Sequence, residues 1–469
     1  MKKKFASMTA IMLTVAMTAG MLAGCGSGQT AATTAAAGSG AGSGAGTGET
    51  AAAGGEAGTD KPFAGVTLEY AGCFTEGEAQ AKWIAEMAKE WEAETGATVK
   101  LNFIGRDVLT QMKTRILTGD APDIIDQDAS ELQAAFLTND VRLEPLDDIY
   151  EASAYGEDGP IRDNINGAYK LYTKDGHDYF VPFIFITAGF FYDKAMFSKY
   201  NLEVPKTWDE FMTVCATLKD NGVPPIALDG NISFYNAYYY KWALQRTMGS
   251  GNFIKAAQDP TGAAWDDPGY LEAAKMVHEL SKGGNDYFQP GYEGSAFPAG
   301  QADWALGKSG MVFCGTWIPL ETKAQASPDF QYGFFPFPTV DGGKGDANDM
   351  EAQLMSFSIP ADAKNKEAAK DFIRYCSSKK SADRLVEMSF NMSARTDAVY
   401  PDFLEDVKPY VDAATNFHKN YDGVMSDCPE WWANVFYPAD NALIFGTSTP
   451  EAFIAQIKEE TVKFYQNKQ

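Results

Sequence analysis

Basic side chains are scarce: 39 Lys and Arg stand against 63 Asp and Glu in 469 residues, a formal charge of −24. A chain so poor in cations lacks the basic face that phosphate backbones require, which excludes nucleic acid as a partner. Histidine is rarer still. His177, His278 and His418 fall in separate segments without metal-ligand spacing and read as surface imidazoles, so neither metal nor cofactor is expected. The six cysteines contain no CxxC pair, and setting Cys25 aside leaves an odd number, so no disulfide framework is indicated. Cys215 and Cys376 instead lie on apolar stripes at helical spacing and read as small buried hydrophobes. Beyond the first 24 residues no apolar run approaches the roughly 20 residues of a membrane-spanning helix.

Catalytic signatures are missing too. There is no G-x-S-x-G elbow. Gly307-Lys308-Ser309 lacks the preceding glycine of a phosphate loop, since Ala302 occupies that position. The acidic stretch Asp341 to Asp349 does not place oxygens at the alternate positions of a calcium loop and reads as a solvated turn. A pair of glycosidase carboxylates remains open, because such pairs are set by separation in space.

What is present begins with an address. Lys2, Lys3 and Lys4 precede an apolar, small-residue run to Gly24, the pattern of a secretory signal peptide. It ends Leu22-Ala23-Gly24-Cys25, which resembles a bacterial lipobox, with the Cys25 thiol taking the lipid. Residues 25–61 are then almost entirely Gly, Ala, Ser and Thr, too small to bury a core, and form a tether reaching on the order of 30 Å.

The body alternates strands and helices. A strand at Val66–Tyr70 leads to a helix over 78–95 closed by Gly96, and Thr98–Phe103 alternates as a strand. Asp107 is placed to cap the next helix, Ile124-Ile125 forms a third strand, and Ser130 is placed to cap the helix after it. Farther on, Thr207 to Glu210 is a capping box and Thr449-Pro450 opens the last helix. Repeated strand–helix units predict an α/β fold with mixed, mainly parallel sheets flanked by helices. Ligands of such sheets collect at the carboxyl ends of strands, which singles out Phe74 and Glu76 after the first strand and Asp126, Gln127 and Asp128 at the third.

Aromatic residues stand beside polar ones at positions expected to be loops. They are the run Phe234 to Trp242, which includes Tyr239, then Trp317 between Gly315 and Pro319, and the pair Trp431-Trp432. A sugar ring has an apolar C–H face and a hydroxyl rim, so flat rings flanked by carboxylates and amides suit it.

Three segments carry a family resemblance. Phe180-Val181-Pro182 through Gly189, Phe191 to Phe197, and Pro205 to Phe211 resemble the central part of family 1 extracellular solute-binding proteins. These are the receptors of carbohydrate ABC importers and include maltose-binding protein. Gly119 to Ile125, Gly307–Trp317 and the helices of 365–389 extend the resemblance over 62–469.

It implies a two-lobe periplasmic-binding-protein type II fold, hinged by three crossings near 182–188, 350–356 and 391–397. Lobe one combines 62–184 with 354–392, and lobe two 187–350 with 395–469. The implied ligand contacts are Trp317 and Tyr239 as stacking rings, Glu76 in the first loop, and Asp126, Gln127 and Asp128 after the third strand, beside which Phe74 at the first strand end and Trp242 in the aromatic run stand as further candidates. Thr187 at the first crossing, Arg395 at the third, and Trp431 or Trp432 complete them. Asp126-Gln127-Asp128, where the family can carry an aromatic residue, points away from a maltodextrin toward recognition of hydroxyls.

The expected protein is a monomeric, lipid-anchored receptor that is not an enzyme. It captures a sugar outside the cell and passes it to ABC permease subunits, touching the membrane only through its lipid. Two other readings stay open: a secreted carbohydrate-active enzyme using carboxylates near Glu76 and Asp126, and a receptor of the same fold for a polyamine or other cationic solute.

Overall fold

A computed structural model describes residues 61–468. The expected signal peptide, Cys25 and nearly all of the expected tether lie outside the described residues. Among those described, no helix is long and apolar enough to cross a membrane.

The described residues form eleven strands: β1 (Thr67–Gly72), β2 (Thr98–Phe103), β3 (Ile124–Asp128), β4 (Val181–Ile186), β5 (Ala188–Asp193), β6 (Ile226–Ala227), β7 (Met311–Gly315), β8 (Tyr332–Phe335), β9 (Asp349–Ser358), β10 (Met392–Ser393) and β11 (Asn416–Lys419). They form two sheets, in the orders β10-β4-β9-β3-β1-β2 and β6-β7-β5-β8, with β11 added alongside β9. Each sheet carries helices, giving the two-lobe α/β architecture. Within the first sheet β1 is parallel to β2 and β3, and β11 to β9, whereas β9 runs antiparallel to β3 and β4. The second sheet is mostly antiparallel around β5. The strand–helix pattern announced the parallel pairs of β1. The antiparallel ones arise where β4, β5 and β9 carry the chain between the sheets.

Two strands make this passage visible. β4 and β5 are separated by Thr187 alone yet belong to different sheets. β9 pairs with β11 through its first four residues and with β4 and β3 through the rest, changing partners at Gln353. All ten of its residues are buried.

Local signals set most helix ends. Gly96 closes helix Ala79–Thr95 at φ 77°, in the left-handed region where glycine carries no Cβ penalty. Thr207 and Glu210 form the predicted capping box, and Thr449 caps the helix that starts at Pro450. Two caps differ from expectation. Asp107 makes no side-chain capping bond, and Ser130 lies inside its helix, Ala129–Phe136, whose cap is Asp128. The Asp128 carboxylate accepts from the Ser130 and Glu131 N–H groups, a stronger acceptor for those free donors than a hydroxyl two residues later.

The aromatic run is a helix, Ser233–Met248, and not a loop; from Asn236 to Arg246 every residue is buried. His418 is a second departure: it is buried in β11 rather than exposed at the surface. Cys73, Cys215, Cys314 and Cys376 are buried free thiols, and Cys428 is free and half-buried.

Candidate functional site

Tyr239 and Trp242 belong to the core of lobe two. Tyr239 is 1% exposed among Phe190, Phe288 and Phe313, and Trp242 stacks near Phe337 under the Lys241 ammonium. Trp431 is also core, its indole N–H donating to Thr461 Oγ1 at 3.0 Å. A helix covered on all sides presents only its first turn to the outside, so the rings deep in the run cannot meet a solute. Trp432 is 3% exposed and stacked on Phe436.

Other expected contacts hold the protein together. Asp126 is fully buried: Oδ2 accepts from the Tyr70 hydroxyl, and Oδ1 from the Cys73 N–H at 2.5 Å. Burial pushes its pKa up to about 6, against the pull of those bonds. Both oxygens fix the chain leaving β1, so Asp126 positions Phe74 rather than facing a ligand. Arg395, 3% exposed in its side chain, is spent on Glu157, Asp397 and the Ser377 carbonyl. Gln127 folds back so that its Oε1 accepts from the Asp128 N–H. Glu76 is exposed.

The remaining residues lie near the ends of β1, β3 and β7 and on the strands that pass between the sheets. Trp317 is half-buried at the end of β7, opening the short helix Ile318–Thr322. A Cβ on Gly315 would fall 1.9 Å from its Cζ3, so the indole lies directly on the glycine α-carbon. Trp317 and Tyr235, the latter in the first turn of Ser233–Met248, are half-buried rings that touch both hydrophobic clusters. Gln301 donates to the Tyr235 hydroxyl at 3.2 Å.

Glu321 stands one turn beyond Trp317. Burial raises its pKa to about 7, while Arg106 of lobe one pulls the other way from across the seam. Arg106 lies 5.0 Å from the Phe74 ring centroid, pairs with Glu78 at 2.6 Å, and keeps its side chain 61% exposed. Glu131 faces the same guanidinium, its pKa raised by burial and eased by Arg106.

The floor is formed by the crossings. Asp128 Oδ2, Thr187 Oγ1 and Gln353 Oε1 are buried without a hydrogen-bond partner, as are Glu321 Oε2 and Gln301 Oε1 in lobe two. Burial first, and Glu131 second, push Asp128 up to about 8, with the capping N–H groups and the nearby Gln353 amide opposing. Buried oxygens without donors carry a desolvation cost that hydroxyl or ammonium groups of a solute would relieve.

A separate cavity of about 790 Å³ lies between Phe136 and Arg142 of lobe one and Pro429, Asn434 and Phe464 of lobe two. None of its lining residues carries an unpartnered buried polar atom, and neither Trp317 nor Arg106 reaches it.

Contacts link four of the residues singled out by sequence to others that sequence reasoning missed: Phe74 to Arg106, Asp128 to Gln353, Thr187 through Thr316 to the turn before Trp317, and Trp317 to Glu321 with Gln301 and Tyr235. Arg106 was within reach, since it follows β2 just as Phe74 follows β1. Glu321 sits four residues after Trp317, on the same helical face. Gln353, inside a fully buried strand, gave no signal.

The chain was compared with known proteins. The sequence profile described as bacterial extracellular solute-binding protein matches residues 75–383. The chain is 27% identical over 320 residues to the multiple sugar-binding protein of Streptococcus mutans, covering 66% of this chain and 70% of that one. It is 28% identical over 292 residues to the diacetylchitobiose binding protein NgcE of Streptomyces coelicolor, covering 59% of each. Among solved structures, a chitin oligosaccharide binding protein superposes with a TM-score of 0.70 at 21% identity, over 85% of this chain and 98% of that one. RafE from Streptococcus pneumoniae gives 0.67 at 20% identity, over 85% and 97%. With two α/β lobes, strands that pass between them and a family profile spanning most of the described body, this chain belongs to the bacterial extracellular solute-binding proteins.

Proposed function

We propose that the protein is a lipid-anchored receptor that captures a sugar or oligosaccharide between its lobes and delivers it to an ABC importer. The observation that carries this reading is the Trp317 indole packed on Gly315, with the unpartnered oxygens of Glu321 one turn on and of Asp128, Thr187 and Gln353 along the strands that pass between the sheets. The ring supplies the apolar platform and the oxygens accept from the hydroxyl rim. Hydrogen bonds contribute roughly 0.5–1.5 kcal/mol each when neutral and roughly 1.5–3 where a partner is charged, so Glu321 and Asp128 in their ionised forms, with Thr187, Gln353 and one stacked ring, approach the roughly −8 kcal/mol of a micromolar complex. Relatives named for multiple sugars and diacetylchitobiose support the ligand class.

Lobe one then comprises 62–184 with 354–392 and lobe two 187–350 with 395–469. A ligand touching both Arg106 and Glu321 favours the closed arrangement by its differential contacts. Cys25 carries the lipid, and the tether lets the body turn toward the permease.

The enzyme reading loses its acid–base pair, since both Asp126 oxygens are engaged within lobe one. A cationic solute is favoured by one observation: Asp128, Glu131 and Glu321 share the seam with Arg106, itself already paired to Glu78. Titration with mono- and oligosaccharides and with polyamines, followed by tryptophan fluorescence and melting temperature, separates the two. Sugar binding that persists at high salt supports the proposal; a response to amines alone overturns it.

A further inference from the structure

Residues two apart on a strand point to one side, so Asp349, Glu351 and Gln353 form a polar file on one face of β9. Each meets a partner from another element. Asp349 Oδ1 accepts from His418 Nδ1–H of β11 at 2.9 Å. Glu351 Oε2 accepts from Lys241 Nζ at 2.6 Å and from the Tyr421 N–H at 3.1 Å. Gln353, at the point where β9 changes lobes, lies beside Asp128. Lys241 Nζ also donates to His418 Nε2 at 2.8 Å, closing the network. Burial first, and the Lys241 charge second, hold His418 below its ordinary pKa. A neutral ring with its proton on Nδ1 satisfies both contacts at once.

The Lys241 and Glu351 side chains are 0% and 1% exposed. Replacing a buried ion pair by apolar groups of similar volume is often neutral or stabilising, so stability alone does not account for this one. Its placement does more. Lys241 lies on the same helix as Tyr235, six residues further on, roughly 9 Å along the axis at 1.5 Å per residue. Tyr421, whose N–H meets Glu351, donates its hydroxyl to the Phe234 carbonyl in the first turn of that helix. The file on β9 is thus tied twice to the helix bearing the lobe-two wall.

We propose that Lys241 and Glu351 are positioning residues for ligand capture: they lock the crossing strand β9 to the helix that carries Tyr235, and so hold Gln353 and Asp128 in register with Tyr235 and Trp317. The proposal rests on the receptor reading above, but its first readout needs no ligand. Lys241→Met, Glu351→Met and the double variant are compared with the unaltered protein by amide hydrogen exchange without ligand, by melting temperature, and by affinity for whichever sugar of the panel binds. In the single variants, exchange over 349–353 and 416–419 should quicken by about tenfold, and affinity should fall by about fivefold or more. The double variant should regain the melting temperature yet keep the weaker affinity and the faster exchange at 349–353.

A double variant that regains affinity along with stability overturns the proposal, because the pair then only fills space. So does a folded single variant with unchanged exchange. If the single variants do not fold, the double variant decides; if it too fails to fold, the pair is a requirement of the core and the proposal falls. Absence of any sugar response in the unaltered protein defeats the receptor reading, while the exchange data still decide the tie.

Discussion

Trp317 rests on Gly315 so closely that no side chain can stand between them: a Cβ on the glycine would meet the indole at 1.9 Å. Gly315 is the last residue of β7, and its backbone has no need of left-handed freedom. The absent side chain is what the ring requires, and it fixes the indole face where the lobes meet.

Gly315→Ala should therefore displace the indole and weaken sugar binding about tenfold, or roughly 1.4 kcal/mol. Trp317→Ala should weaken it at least as much, with the fold retained, because the ring is only half-buried. Calorimetric titration beside a thermal melt checks both. Unchanged affinity in Trp317→Ala removes the ring from the site.

Tyr235 and Tyr239 should behave oppositely. Tyr239→Ala leaves a cavity among Phe190, Phe288 and Phe313 and should cost about 3–5 kcal/mol of stability, as for other large aromatic truncations. Tyr239→Phe removes a hydroxyl that has no partner and should leave both stability and affinity near the original. Tyr235→Ala should lower affinity with little change in melting temperature. Denaturant titration paired with binding assays tells them apart, and loss of binding in Tyr239→Phe would contradict the core assignment.

The acids of the seam give a pH dependence with a definite sign. Asp128 and Glu321 titrate near 8 and 7 in the folded protein, raised above their ordinary values mainly by burial. Between the ordinary carboxylate range near 4 and those values the folded state holds more protons than the unfolded one, so the free protein loses stability as pH rises through this window. Ligand hydroxyls that donate to the carboxylates favour the ionised forms. Affinity should thus increase from pH 6 toward 8.5 with release of protons, read by calorimetry in buffers of different ionisation enthalpy. An affinity flat across that range would show that neither acid accepts from the ligand.

Arg395 should affect stability and not capture. Arg395→Met strips the guanidinium from Glu157 and Asp397 and should cost on the order of 1–3 kcal/mol, since the two carboxylates it leaves are partly solvated. The folded fraction should bind sugar as before, measured by titration well below the variant's melting temperature. Weakened binding there would return Arg395 to the site.

Much of the fold is readable along the chain because its causes are local. The Thr207–Glu210 capping box, the Gly96 helix stop and the alternation of Thr98–Phe103 each depend on neighbours within a few residues, and each stands where expected. The partial exposure of Trp317 was legible as well, since a tryptophan set off by Gly315 and Pro319 at a strand end is left half-buried. Tyr239 and Trp242 were misplaced because an aromatic run does not say which of its rings neighbouring elements cover. The helix carrying them is buried on all sides after its first turn, which leaves Tyr235 at the edge.

The residues by themselves thus determined the α/β alternation and the family, features written within short stretches of chain. Only the tertiary structure decided which acids face the seam and which are consumed in holding the lobes. Asp126 and Asp128 are two residues apart in one strand and chemically alike, yet packing engages both oxygens of the first and leaves Oδ2 of the second without a donor. The same holds for Lys241 and Glu351: 110 positions separate them, and only folding sets their charges 2.6 Å apart.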